Sequence, residues 1–539
     1  MKKSQALLLV LIFTIKIISQ DFQKSLGVEI GSNYQVYPGT QLHQWEVSIV
    51  TNPNNPDILF IAANTFLSSS GFTSEGIYVS TDGGNSWRGA DTCYGQPLLL
   101  HGGDPGIVID KNNTFILTRK GFSSGLYSHY STNNGLTWSD QKIISLDDLA
   151  PERAGIVSDS NPESIYCGRT YVLWVQLSPP FPVTFSSTDD GAQSWAASQQ
   201  INNPSQRSAG GELAIDEDGK LYACWAAVTN SSPFTEDYIG FASSSNGGSN
   251  WTLDENAYDI NGIAGVLTQK SNIRVNGLPR IAVDTSGGQR HGWIYVVTGQ
   301  KNLSPAGNDP DVILNRSSDG GQTWSPGIRV NRDVLSNGKV QLFPTINVDK
   351  YGGVNIIFYD DRNTASDSFG VFLARSEDGG DSWREFEISD HNFKPVPIGG
   401  VPQGKMGDNI GFTSSNETLW PVWMDNSSGL YKIWTVPIDL STVEVESQEI
   451  MPIKFSLDQN YPNPFNSSTR IKYSIEETEF VRMKIYDILG NEIAVIVNEE
   501  KSSGVYEVNF NAGNLPGGVY FYKLTAGKHS VTKKLVLLK

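Results

Sequence analysis

Charged residues recur at the entrance to short apolar runs along this 539-residue chain. Glu46 precedes Val47-Ser48-Ile49-Val50, Asp104 precedes Ile107-Val108-Ile109, and Arg153 precedes Ile156-Val157. Glu212 precedes Leu213-Ala214-Ile215, Arg280 precedes Ile281-Ala282-Val283, and Asp408 precedes Ile410-Gly411-Phe412. Asp361 and Arg362 follow another such run, in Tyr359-Asp360-Asp361-Arg362-Asn363. Two chemistries suit this set. Paired carboxyl groups can cleave a glycosidic bond, one giving a proton while the other acts as base or nucleophile; Asp361, Asp408 and Glu212 are the candidates. Guanidinium forks bind carboxylates, so Arg153, Arg280 and Arg362, with Glu46 and Asp104, are candidates for holding a carbohydrate or an acidic sugar. His43 and His101 stand just upstream of two of these positions. The same charges could instead pair with one another and serve only the fold. Asn308-Asp309-Pro310-Asp311 offers several oxygens of the kind calcium needs, but without a complete ligand spacing it reads as a solvated loop, and no cofactor is expected.

The elements that must position these residues repeat. Ile107-Val108-Ile109-Asp110, Leu213-Ala214-Ile215-Asp216, Ile281-Ala282-Val283-Asp284 and Ile346-Asn347-Val348-Asp349 each lead through a polar turn to a second apolar run. Turns such as Asp216-Glu217-Asp218-Gly219-Lys220 are hairpin chemistry. A third run follows, then a fixed motif, then a fourth run. Four antiparallel strands per unit make a propeller blade. First strands fall near residues 46–51, 105–110, 154–159, 211–216, 279–284, 344–349 and 408–413. That predicts seven blades, with six as the alternative. The last unit lacks a fourth strand, which the segment 27–37 could supply.

The fixed motif is Ser-x-Asp-x-Gly-x-x-Trp. It stands at Ser80, Asp82, Gly84 and Trp87, and returns with Asn133 and Trp138, Asn246 and Trp251, Asp319 and Trp324, and Asp378 and Trp383. A sixth copy, read as Ser187-x-Asp189-x-Gly191, carries one extra residue before Trp195. Asp or Asn accepts backbone N–H bonds, Gly tolerates positive φ, and the Trp is expected to fold back over its own turn. The motif resembles the Asp-box, or bacterial neuraminidase repeat, of sialidase-like β-propellers. That resemblance implies a structural staple, with ligands bound on the opposite face above the central channel, where the strand-two-to-three loops and inter-blade connections lie. Long connections such as 253–278 and 388–407 belong to that face, as functional loops often do. An exo-sialidase also carries a first-blade Phe/Tyr-Arg-Ile-Pro motif. No arginine precedes Arg88 here, and Leu278-Pro279-Arg280-Ile281 comes too late in the chain. The resemblance therefore extends to the fold and not to that catalytic set, which leaves glycan binding, glycoside hydrolysis or non-catalytic surface adhesion.

A formal net charge of −17 argues against nucleic acid as a partner. Three cysteines, Cys93, Cys167 and Cys224, form neither a disulfide framework nor a zinc pattern. Lys2-Lys3 followed by the apolar run 6–15 reads as a signal peptide over residues 1–20. The propeller is expected over 27–440 and a linker over 441–454. The segment 455–539 alternates strands with Pro- and Gly-rich turns, as a small β-sandwich does. Its opening Gln459-Asn460-Tyr461-Pro462-Asn463-Pro464-Phe465-Asn466 and its lysine-rich last strand closely resemble a type A sorting domain of type IX secretion. The resemblance implies a partner in the secretion machinery and delivery to the cell surface or medium. A monomer is expected.

Overall fold

The computed structural model describes residues 28–67, 71–92, 101–121, 124–146, 151–441, 455–460, 462–476, 478–501, 504–513 and 515–538. The signal peptide, Cys93 and the linker from residue 442 onward lie outside them. The chain forms two compact units, Met1–Thr442 and Val443–Lys539, and the described residues contain no α-helix.

The first unit is a β-propeller. Six four-stranded antiparallel sheets each run in simple order, from His43–Thr51 through Arg88–Ala90 in the first to Gln341–Val348 through Arg384–Glu387 in the last. A further sheet joins Gly411–Ser415, Thr418–Asp425 and Lys432–Thr435 to Tyr34–Gln35 from the start of the chain. The first strands touch in cyclic order, and Gly411–Ser415 returns to His43–Thr51. The continuous apolar runs explain this packing: each sheet is apolar on both faces and must bury both against neighbours. Second strands such as Thr170–Val175 and Leu221–Val228 are buried along their whole length.

The repeated turns are hydrogen-bonded as their residue types require. In the first, Ser80 Oγ donates to Asp82 Oδ1 at 2.8 Å, Gly84 N donates to Ser80 Oγ at 2.8 Å and Ser86 N donates to Asp82 Oδ1 at 2.9 Å. The copy near residue 190 differs from the sequence reading. Its ring is made by Thr188, Asp190 and Ala192, with Ser194 N donating to Asp190 Oδ1 at 3.0 Å. Shifted by one residue, the motif has no insertion before Trp195. Ala192 takes the glycine position at φ 67°, and Asp189 instead pairs with Arg169 at 2.6 Å on the surface. A serine-threonine pair and two adjacent aspartates hid the register.

The tryptophans also do something other than expected. Trp138 does donate to Gly135 O of its own turn, at 3.1 Å. The rings, however, wedge into the preceding sheet. Trp138 lies 5.8 Å from Phe60, Trp251 5.1 Å from Phe185 and Trp324 5.2 Å from Phe241. Trp195 donates to Ser128 at 2.8 Å, and Trp87 to Tyr34 at 3.2 Å. Trp383 joins Tyr295 and Leu314 in one core. Each motif thus fastens one sheet to its predecessor. Its glycine belongs to the same contact: a Cβ on Gly321, at φ 89°, would lie 2.0 Å from Phe241. Gly321→Ala should therefore destabilise the propeller by about 1–3 kcal/mol through overpacking. Gly338, at φ 78° with nothing within 4 Å, separates backbone strain from the clash. Equal losses for Gly321→Ala and Gly338→Ala in denaturant unfolding would leave the inter-sheet contact without energetic weight.

The second unit is a β-sandwich. A three-stranded sheet and a five-stranded sheet enclose Ile471, Tyr473, Val481, Met483, Tyr522, Leu524 and Leu535. Glu479–Tyr486 alternates exposed and buried side chains as a half-covered strand does. The polar opening motif clamps the last strand: Gln459 donates to Lys534 O at 2.7 Å, and Val536 N donates to Asn463 Oδ1 at 2.9 Å. Asn460 N donates to the Tyr522 hydroxyl at 2.9 Å.

Candidate functional site

The first strands of the propeller share a local irregularity. Between Trp45 and Ser48 the strand carries two residues opposite one of its neighbour, and the same occurs after Gly103, Ala209 and Leu342. These are β-bulges, which bend a strand and re-aim a side chain. The first extra residue has positive φ in each: Glu46 at 54°, Asp104 at 59°, Gly210 at 64° and Phe343 at 52°. For residues other than glycine this conformation is costly and persists only where surroundings hold it. Asn409 holds Glu46, donating to Oε2 from Nδ2 at 2.5 Å and from N at 3.0 Å. Asn64 holds Asp104, accepting its N–H at 2.8 Å and donating to Oδ1 at 3.2 Å.

Glu46 and Asp104 line a cavity of about 880 Å³ over the end of the channel where the first strands begin, within the range of small-molecule sites. Arg153, Glu212, Arg280 and Asp408 line it too. Six of the eight sequence-derived candidates are therefore brought together. A polar belt forms the floor. Glu212 Oε1 accepts from Arg280 Nη1 at 2.8 Å and from Arg153, and Arg280 also donates to Asn409 Oδ1. Arg153, Glu212, Arg280 and Asn409 also line a second cavity of about 220 Å³ within the channel, so the belt divides mouth from channel. Glu212 is thus engaged by two guanidinium groups.

Asp361 and Arg362 do not reach this cavity. Asp361 is buried, pairs with Lys270 at 2.7 Å and accepts Val340 N at 2.7 Å. Arg362 bridges Asp360 and Glu385, both at 2.6 Å. They begin a loop on the expected face, but their side chains turn into the packing between elements. His43 accepts Tyr431 N at 3.3 Å and lies outside the cavity lining; the side chain of His101 lies outside the described residues. Asp309 and Asp311 accept N–H bonds from Gly338 and Gly307, both at 2.6 Å, and Asp311 pairs with Arg329 at 2.7 Å.

The electrostatics separate the acids. Burial, then Asp408 and Asp104, push the Glu46 carboxyl well above the ordinary glutamate range. Burial also raises Glu152 and Glu236, although Glu152 accepts Gly210 N at 2.6 Å and Glu236 accepts Gly277 N at 2.8 Å. Burial would raise Asp104 as well, but the ammonium groups of Lys120 and Lys405 outweigh it and hold Asp104 low. Asp408 is half-buried and accepts from Asn276 at 2.5 Å. Lys120, Glu152, Glu236, Asn276 and Asn409 were missed in the sequence. Glu152 and Asn409 adjoin Arg153 and Asp408, so widening each candidate by one residue finds them. Lys120 comes from a neighbouring strand and Asn276 from the segment just after Ile273–Val275, and neither carried a local signal.

Residues 459–538 match the family model described as a secretion system C-terminal sorting domain. The tail is a type IX sorting domain, which directs the chain to secretion or the outer surface. The chain is also 26% identical over 303 residues to a xyloglucanase from Paenibacillus sp, across 52% of this chain and 26% of that protein. It thus spans about a quarter of the length of the curated relative it matches. Among solved structures, a family PL25 ulvan lyase bound to -[GlcA(1-4)Rha3S]- is similar with a TM-score of 0.50 at 10% identity, covering 76% of this chain and 96% of that one. An α-L-arabinanase of Penicillium chrysogenum complexed with arabinobiose has a TM-score of 0.40 at 13% identity, covering 61% and 93%. These likenesses are of fold.

Proposed function

We propose that the propeller is an exported glycan-active protein that cleaves glycosidic bonds in the mouth cavity. Glu46 is the proton donor in this reading and Asp408 the partner carboxyl group. The observation that carries it is the pairing of unlike carboxyl groups: one buried on a strained bulge and pushed well above the ordinary glutamate range, the other half-buried beside it. Unlike environments for two neighbouring carboxyl groups suit acid–base chemistry. Asp104, kept ionised by Lys120, adds to the field that holds the Glu46 proton. The belt of Arg153, Glu212 and Arg280 closes the floor, so a chain would lie across the mouth.

A panel of polysaccharides incubated with the full-length protein, with release of reducing ends measured, tests this. Asp408→Asn should remove most of any cleavage while leaving the unfolding midpoint near that of the parent. A second reading, a binding or adhesion propeller without hydrolysis, rests on the belt, whose charges are spent on one another. It predicts retained glycan binding with no cleavage of any polysaccharide, and that result would sink the catalytic roles of Glu46 and Asp408.

A further inference from the structure

Above the floor, one side of the cavity mouth has a different character. Arg207 stands between two phenylalanine rings, 4.1 Å from the centre of Phe181 and 4.4 Å from that of Phe234. The two rings come from matching turns of consecutive sheets, Ser178–Phe181 and Ser231–Phe234. In each, the Phe N–H donates to the Ser carbonyl, at 2.7 and 2.8 Å. Both phenylalanines sit at positive φ, 62° and 61°. A bulky side chain rarely adopts that conformation, and such strain gathers at ligand clamps. Phe234 remains 40% exposed, and Leu177 and Val266, also in the cavity lining, are 38% and 56% exposed. Large apolar side chains grouped on a cavity lip mark a binding surface.

Among the described residues Arg207 and Lys405 make no ion pair, and Arg274 gives its hydrogen bond to the neutral amide of Gln403 at 2.5 Å. The acids of the same cavity are committed: Glu212 to two arginines, Asp104 to Lys120, Glu152 and Glu236 to backbone N–H groups. Burial shifts Glu46, Glu152 and Glu236 toward their neutral forms. Arg207 and Arg274 thus place two guanidinium groups on one lip of a cavity whose lining otherwise carries both signs.

We propose that this lip is a subsite for an acidic sugar unit of a polysaccharide. The apolar face of the ring lies on Phe234 beside Leu177 and Val266, and its anionic group is taken by Arg207 and Arg274. Planar guanidinium groups suit a carboxylate or a sulfate, and aromatic platforms suit the C–H face of a pyranose. The inference rests on the glycan reading above and adds the substrate class.

Binding of the full-length protein to oligogalacturonate, κ-carrageenan oligosaccharides and neutral xyloglucan oligosaccharides of matched length tests it by calorimetry at two salt concentrations. The expected result is tighter binding of an acidic probe, weakened by salt. The carboxylate and sulfate arms show which anion is preferred. Arg207→Ala should weaken the acidic probe by about ten-fold and leave the neutral probe nearly unchanged. Arg274→Gln should act in the same direction, and thermal melting checks that both variants fold. Neutral oligosaccharides binding as tightly as acidic ones, or an Arg207→Ala variant with unaltered affinity, overturns the acidic subsite and leaves the glycan reading intact. Absence of binding to all three probes overturns the glycan reading and the subsite with it.

Discussion

Glu46→Gln should slow glycan cleavage by about 10²–10⁴-fold, the usual worth of a positioned proton donor, while glycan affinity changes little. Glutamine keeps an oxygen to accept the Asn409 amide, now at 2.5 Å from the carboxyl, but it has no acidic proton to give. Burial raises the Glu46 carboxyl, and the negative charges of Asp408 and Asp104 raise it further. Cleavage should therefore fall on the alkaline side as Glu46 loses its proton, and that limb should vanish in the variant. The same shift has a stability sign. A carboxyl with a folded pKa above its unfolded one favours folding at low pH, and the benefit is lost as pH rises through the folded value. The window opens above the ordinary glutamate value of 4.5. Melting temperatures recorded from mild acid to mild alkali should fall less steeply for Glu46→Gln than for the parent. A variant that cleaves at the parental rate with an unchanged pH profile would falsify the assignment.

Asp361→Ala should cost about 3–5 kcal/mol of stability, the penalty for leaving a buried charge without its partner. The orphan is Lys270, whose side chain is fully buried and whose ammonium also donates to Ser368 O at 2.9 Å. Lys270 ends the short helical turn Thr268–Lys270 that joins the strands Gly265–Leu267 and Ile273–Val275. That ribbon brings Val266 and Arg274 to the cavity mouth. The ion pair is thus an anchor, and its loss should loosen the lip as well as the fold. Replacing both partners by apolar residues, as in Lys270→Met with Asp361→Leu, should recover much of the loss. Equilibrium unfolding of the three variants checks this. Parental stability in Asp361→Ala, with cleavage abolished, would restore Asp361 to the site.

The scaffold was legible because its signals are local. A Ser-Asp-Gly-Trp turn is readable within eight residues, and Ile281-Ala282-Val283-Asp284 names its strand and the turn that ends it. The start of each first strand was enough to place Glu46, Asp104 and Asp408 on one rim. Partners were not legible. Lys270 meets Asp361 across most of two sheets, and nothing near either residue announces the other. Three of the four bulges were hidden too, since a one-residue excess in a strand leaves no mark when the residue is Glu, Asp or Phe, and only Gly210 carries the usual glycine. The direction of the motif tryptophans follows from inter-sheet packing, which no single repeat contains. Adjacent Asp189 and Asp190 show the remaining limit: two registers fit the residue types, and only the turn's hydrogen bonds choose.

The last sheet of the propeller is completed by Tyr34–Gln35 lying beside Lys432–Thr435, and the Tyr34 hydroxyl also donates to Gly84 O at 2.7 Å. This pairing fixes an order in time. A strand that precedes the first sheet is the strand used last, because its neighbour does not exist until the rest of the ring has been synthesised. Until then the growing chain is an open stack with a bare edge, and bare edges invite pairing with other chains. Contacts so distant in sequence are slow to form, so the interval is a real exposure during biogenesis. Once the latch is shut it joins the two ends of the ring. A protein destined for the cell exterior then keeps its shape through a barrier to opening, held by two short strands that meet only once the ring is complete.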